Sequence, residues 1–145
     1  MADQPYGVLN TQLKKLVDTA DGFMAERVTS ANTPPATALA TILNGAALSG
    51  AVDLKEMRLS AIIMPAAWTA AALTFAVSAD GATYYPLYDA TGGAEASWTV
   101  AAGLYIANSN FALWKDIRFI KLRSGTAASP VNQGADRVIT IVSAP

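Results

Sequence analysis

Residues 73–81 read LTFAVSADG, and this stretch decides the fold class. Its residues alternate between larger apolar and smaller side chains, so Leu73, Phe75 and Val77 fall on one face of a strand. The Asp80-Gly81 pair that follows is typical of a tight hairpin turn, and a second apolar run begins shortly after it. The stretch therefore predicts two antiparallel strands joined by a short turn.

The same pattern of a short apolar run followed by turn residues extends in both directions along the chain. Short apolar runs bounded by Gly, Pro, Asn or Asp recur at intervals of roughly 8 to 12 residues, the spacing of an antiparallel sandwich or barrel. The runs are residues 38–43, 48–54, 58–64, 71–77, 83–88, 96–100, 104–107, 117–123 and 137–142. We therefore predict a mainly β domain over residues 38–145, an antiparallel β-sandwich of about eight strands.

The last run differs from the others because it is apolar at both alternating sets of positions. Val138, Thr140 and Val142 alternate with Ile139 and Ile141. A strand of this kind is expected to be covered on both of its faces.

The first 28 residues follow a helical period instead. Pro34 and Pro35 lie in a small, polar stretch, residues 29–37, which is typical of a linker. We predict an amphipathic helical arm over residues 1–28, whose apolar stripe packs on its own domain, forms a bundle with other copies, or docks on a partner. The stripe residues expected to contact a partner are Leu9, Leu13, Leu16, Phe23 and Met24.

Composition excludes several classes of function. The chain has no His and no Cys, which removes imidazole catalysis, Cys nucleophiles, disulfides and the common zinc and haem ligands. No phosphate-cradling loop is present either, so we predict that the protein is not an enzyme and uses no cofactor. A net charge of -1 and the lack of a long apolar segment predict neither a nucleic-acid partner nor a membrane partner. Because the N-terminus lacks the pattern of a signal peptide, synthesis in the cytoplasm is expected.

Charged residues make up only 14% of the chain, against about 25% in ordinary soluble domains. Five of the ten basic residues lie between positions 115 and 137. We interpret this basic stripe as a salt-bridged edge or a protein contact, with Arg118, Lys121 and Arg123 as the residues expected to contact a partner.

Aromatic residues support an alternative. Trp98, Tyr105 and Trp114 lie near predicted strand ends, where exposed rings can stack on a sugar. Asp80 and Asp89 are assigned to turns because each is followed by Gly within a few residues. A calcium ion held by one such Asp and backbone carbonyls stays open as a further alternative.

Two blocks of sequence carry a resemblance to a known group of proteins. The first runs from MPAAWTAAALTFAVSADG (64–81) to YPLYD (85–89), and the second contains FIKLRSGT (119–126), PVNQ (130–133) and ADR (135–137). Together they resemble the small β-sandwich structural proteins encoded by tailed bacteriophages, over residues 38–142. The N-terminal helix lies outside the shared pattern.

The resemblance implies a jelly-roll or discoidin-like sandwich located in the virion. The resemblance does not select a part of the particle. Because a helical arm, a Pro-Pro linker and a compact sandwich suit a protein that clamps or decorates a shell, we predict a capsid decoration or cement protein that stabilises the head by contacts with the major capsid protein or other virion subunits. We expect it to form a homo-oligomer, with a trimer favoured. Two other roles stay open: a carbohydrate-binding adhesin module on a tail fibre or baseplate, and a tail or neck connector subunit.

Overall fold

A computed structural model of the 145-residue chain describes residues 33–145. The predicted arm, residues 1–28, and residues 29–32 of the predicted linker lie outside the described residues. No helix in the described part of the chain is long and apolar enough to cross a membrane.

The described residues form two antiparallel sheets and almost no helix, which confirms the prediction of a mainly β fold. The strands are β1 (Ala36–Ile42), β2 (Val52–Asp53), β3 (Arg58–Ile63), β4 (Leu73–Ser78), β5 (Tyr85–Pro86), β6 (Ser97–Trp98), β7 (Tyr105–Ala107), β8 (Phe119–Ser124) and β9 (Arg137–Ala144). A single turn of 3-10 helix, Phe111–Trp114, lies between β7 and β8. Each of the nine apolar runs overlaps one of these strands.

The first sheet has the order β1-β9-β3-β7, and the second has the order β2-β8-β4-β5, with β6 also paired to β4. β1 begins at Ala36, inside the stretch predicted as linker. It begins there because its ladder with β9 runs without interruption from Ala36 opposite Ser143 to Ile42 opposite Arg137. The first and last strands of the described domain are therefore neighbours in one sheet.

The two sheets contribute side chains to one hydrophobic cluster, as expected for layers that pack face to face. In β8, buried Ile120 and Leu122 alternate with the outward-pointing side chains of Lys121 and Arg123. In the first sheet, Ile139 and Ile141 point into the same cluster. The fully buried apolar side chains include Ile42, Leu59, Ile62, Leu73, Phe75, Trp114, Ile120, Leu122, Ile139 and Ile141.

Candidate functional site

The most distinctive surface of the described domain is the side of the first sheet that points away from the core, which we call the outer face. Its side chains alternate with core residues such as Ala40, Ile62 and Ile141. Its one charged residue is Arg58, which lies opposite Ala144 at the end of β3. The rest of the outer face consists of Thr37, Leu39 and Thr41 from β1, Val138, Thr140, Val142 and Ala144 from β9, Ala61 and Ile63 from β3, and Tyr105 and Ala107 from β7.

One row of residues crosses all four strands of the outer face. Thr140 lies directly opposite Leu39 on one side and Ile63 on the other, and Ile63 lies directly opposite Tyr105. Leu39 is 65% exposed, Ile63 38% and Tyr105 61%. Contiguous exposed apolar side chains of this kind mark sites of contact with other proteins more often than scattered ones do.

The sequence creates part of this face because β9 is apolar at most positions of both alternating sets. β9 was predicted to be covered on both faces, and its inner face is indeed covered by the core. On the outer face, Val142 is 8% exposed and Val138 is 45% exposed. This side of β9 is therefore covered at Val142 and open at Val138. The outer-face residues Leu39 and Ile63 were missed as candidates, although the uncharged segment of β1 was a usable signal.

The second sheet presents charged residues instead. Arg118, just before β8, makes two hydrogen bonds to Asp53, from Nε to Oδ1 at 3.0 Å and from Nη2 to Oδ2 at 3.0 Å. This contact lowers the pKa of the Asp53 carboxyl and raises the pKa of Arg118. The guanidinium also lies 4.9 Å from the centre of the Phe119 ring, and Lys121 Nζ lies 4.2 Å from the centre of the Tyr84 ring.

Arg123 makes the more buried ion pair. Its Nη1 donates to Glu95 Oε1 at 2.9 Å, and the two side chains are only 13% and 10% exposed. Both Glu95 oxygens also accept the backbone N–H of Ala127. The interpretation of the basic stripe as a salt-bridged edge therefore describes Arg118 and Arg123. Contact with another protein stays a prediction for Arg118, Lys121 and Arg123, and the predicted contacts of the N-terminal arm lie outside the described residues.

The three aromatic residues predicted as a sugar platform are not brought together on a surface. Trp114 is fully buried against Phe75, with ring centres 4.7 Å apart and planes at 83°, so it offers no ring face to a sugar. Trp98 is half-buried in the same cluster, 5.2 Å from Phe75. Tyr105 lies on the outer face of the first sheet. The platform fails because the pairing of β6 with β4 places Trp98 beside Phe75, and the 3-10 turn buries Trp114 against the same ring, while Tyr105 lies on the outer face.

A cleft of about 370 Å³ lies beside this aromatic cluster. The edges of Trp98 and Trp114 line it together with polar side chains, among them Asp89, Asn108 and Asn110. Asn108 is already engaged, since its Nδ2 donates to the carbonyl of Leu59 and its Oδ1 accepts the N–H of Asn110. The cleft therefore has a rigid polar wall beside an aromatic one.

The assignment of Asp80 and Asp89 to turns is confirmed. Asp80 accepts hydrogen bonds from the hydroxyl of Ser78 and from the N–H groups of Ala82 and Thr83, which lower the pKa of its carboxyl to about 2. Asp89 accepts from the N–H and hydroxyl of Thr91. Over residues 33–145, no group of three or more acidic side chains is placed to hold a metal ion.

Comparisons of the chain with protein-family models, with curated proteins and with solved structures gave no match in any of the three. Conclusions about function therefore come from the residues and contacts of this chain.

Proposed function

We propose that this chain is a structural virion protein, a capsid decoration or cement subunit that stabilises the head of a tailed bacteriophage by protein contacts. The observation that carries the proposal is the outer face, on which Leu39, Ile63 and Tyr105 are exposed in one row across four strands and only Arg58, at one end, is charged. Its partners are the major capsid protein or other virion subunits, together with further copies of the chain. The resemblance of residues 38–142 to phage structural proteins is the reason for proposing that the partner surface belongs to a phage virion.

The chemistry of the outer face supports a contact function. The cores of protein interfaces are depleted in charged residues and enriched in aromatic ones, and the outer face has one charged residue, Arg58, and one exposed aromatic ring, Tyr105. Strand spacing gives the face an area of roughly 300 Å², less than the approximately 800 Å² that each partner buries in a standard interface. A lasting attachment therefore needs further surface, which the predicted N-terminal arm would supply through its apolar stripe.

The strand order also supports a finer description of the fold. The pairs β1/β9, β2/β8, β3/β7 and β4/β5 are nested within one another along the chain, as in a long hairpin that has been rolled up. This nesting, with the sheet orders β1-β9-β3-β7 and β2-β8-β4-β5, is the jelly-roll arrangement we infer. Jelly rolls occur in viral capsid and lectin domains, so the fold is compatible with the proposal but does not select it.

Two measurements test the proposed function. Quantitative mass spectrometry of purified particles gives the copy number, which we expect to match the shell. A copy number that matches the tail would instead favour the role of a connector subunit or an adhesin. Binding to purified heads should be lost in Tyr105→Lys and kept in Tyr85→Lys, because Tyr85 is equally exposed at 65% but lies in the second sheet.

The cleft beside Trp98 favours one second candidate, a carbohydrate-binding module. Half-buried Trp98 and the amide of Asn110 both line this cleft. Ligand sites commonly combine an aromatic ring with a few polar groups. A glycan array probed with the full chain tests it. Binding that disappears in Asn110→Ala, while Tyr105→Lys still binds, would favour the adhesin role.

A further inference from the structure

β1 is an edge strand without the usual protection. Within the described residues it pairs with β9 alone, and its seven residues, ATALATI, contain no charge and no proline. Its register with β9 has no bulge. Edge strands of monomeric proteins are normally guarded by charged residues, prolines, bulges or a covering segment, because their free backbone groups can pair with another chain. The opposite edge of the sheet, β7, is only three residues long.

The backbone groups that β1 leaves open can be identified. The carbonyl of Thr41 accepts the N–H of Gly50, which lies outside the sheet, at 3.4 Å. Thr41 therefore directs its backbone away from β9. Because the pattern in an antiparallel ladder repeats every two residues, Thr37 and Leu39 direct their N–H and C=O groups to the same open edge.

We propose that β1 pairs antiparallel with β1 of a second copy, about a two-fold axis at Ala38. Thr37 of each copy then lies opposite Leu39 of the other, and these residues exchange backbone hydrogen bonds. A register centred on Leu39 would require the Thr41 carbonyl, which Gly50 already occupies. A register centred on Thr37 would require an N–H from Pro35, which has none.

A second copy suits this edge because a two-fold contact places each surface against an identical one. A charge at the axis, at Ala38, would lie opposite the same charge of the other copy, and β1 carries none. Pairing would produce one eight-stranded sheet and join two outer faces into a continuous surface of roughly 600 Å², in which Arg58 of each copy is charged. The inference deepens the proposed contact function by naming a partner at its edge, and it replaces the expected trimer with a dimer.

The isolated full-length protein provides the first test. Light scattering over a dilution series should give the mass of a dimer, and Thr37→Pro should raise the dissociation constant at least tenfold by removing an edge N–H. Ala107→Pro is the matched control, since Asn108 N–H bonds to Ser60 and Ala107 therefore faces the open edge of β7. A monomer or a trimer in the wild-type protein, or equal effects of the two prolines, would overturn the proposal.

Charge substitutions test the register without relying on proline. Thr37→Glu and Leu39→Lys should each weaken the dimer, and the double variant should restore it, because the proposed register sets each Glu opposite a Lys of the other copy. Failure of the double variant to recover would contradict this register. Circular dichroism checks that each variant is folded.

The alternative occupant of the edge is the predicted arm of another copy. If Leu13→Glu with Leu16→Glu abolishes association while Thr37→Pro does not, the arm makes the contact and the pairing of β1 is wrong. Failure of this inference and of the proposed function can be separated. A monomer that still binds heads refutes only the pairing, whereas a dimer that does not bind heads refutes only the function.

Discussion

Tyr105 lies directly opposite Ile63 at the β7 side of the first sheet, and both side chains are exposed on its outer face. This pairing changes the functional interpretation of Tyr105. From sequence it was a candidate for stacking on a sugar, together with two tryptophans. In the structure its neighbour is a β-branched aliphatic residue, and the row continues through Thr140 to Leu39. A row of exposed side chains that crosses four strands suits a protein surface better than a sugar ring.

The buried ion pair between Glu95 and Arg123 should contribute strongly to stability. Glu95→Ala leaves the Arg123 guanidinium, only 13% exposed, without its carboxylate and also removes the acceptor for the Ala127 N–H. We expect a loss of about 3 kcal/mol in the free energy of unfolding, measured by urea denaturation.

The control for this experiment is the exposed pair of Asp53 and Arg118, whose side chains are 36% and 57% exposed. Asp53→Ala should cost much less stability than Glu95→Ala, because water already screens this pair. Equal losses of stability in Glu95→Ala and Asp53→Ala would show that burial of an ion pair does not determine its contribution in this domain.

Gly125 should tolerate no side chain. Its φ is +83°, and a Cβ there would lie 2.5 Å from the carbonyl oxygen of Ser129 and 2.8 Å from the nitrogen of Val131. Gly125→Ala should therefore lower the free energy of unfolding by about 3 kcal/mol, from backbone strain and a backbone clash together.

Gly45 is the matched position, with a φ of +76° and nothing within 4 Å of a Cβ. Gly45→Ala should cost only about 1 kcal/mol, because it has the strain without the clash. Urea denaturation of both variants measures the difference, and similar costs would mean that the loop around Gly125 can shift.

Acid should weaken the domain partly through Asp80. Hydrogen bonds from Thr83, Ala82 and Ser78 lower the pKa of this carboxyl from 3.8 to about 2, so the folded state binds its proton less readily than the unfolded state. The resulting stability is present above roughly pH 4 and is lost as the pH falls towards 2. Asp80→Asn should lose less stability over that range in denaturation experiments at stepped pH. An unchanged pH dependence would contradict the assigned cause.

Substitutions of the aromatic residues predicted as a sugar platform should differ in their effect on the free energy of unfolding. Trp114→Ala should cost about 4 kcal/mol because it removes a fully buried indole from the core. Tyr105→Ala should stay within about 0.5 kcal/mol, since its ring is 61% exposed. Thermal or urea unfolding of the two variants checks this. A small cost at Trp114 would mean that the cluster with Phe75 contributes little to packing.

The strands could be predicted from sequence because their information is local. The alternation of LTFAVS and the turn residues after it lie within a few positions of each other, and β4 and its turn form there. The contact surface could not be predicted, because Leu39, Ile63, Tyr105 and Thr140 come from four strands far apart in the chain. The pairings of β1 with β9, of β9 with β3 and of β3 with β7 bring them into one row.

The basic stripe shows the same limit for electrostatics. Its residues could be recognised as a group, and a salt-bridged edge was one of the two interpretations. That Arg123 pairs with Glu95, 28 positions earlier, depends on how β8 pairs with β4 and on the loop that follows β5. Likewise, the burial of Trp114 depends on the 3-10 turn packing against Phe75, which no local pattern specifies.

The most direct test of the central claim is the survival of purified heads under heating. Heads that lack the protein are supplied with the wild type, with Tyr105→Lys, or with the matched surface variant Tyr85→Lys, and the fraction that remains intact is measured. A cementing function through the outer face predicts that the wild type and Tyr85→Lys protect the heads, while Tyr105→Lys does not. Equal survival with and without the wild-type protein, or full protection by Tyr105→Lys, would contradict the account.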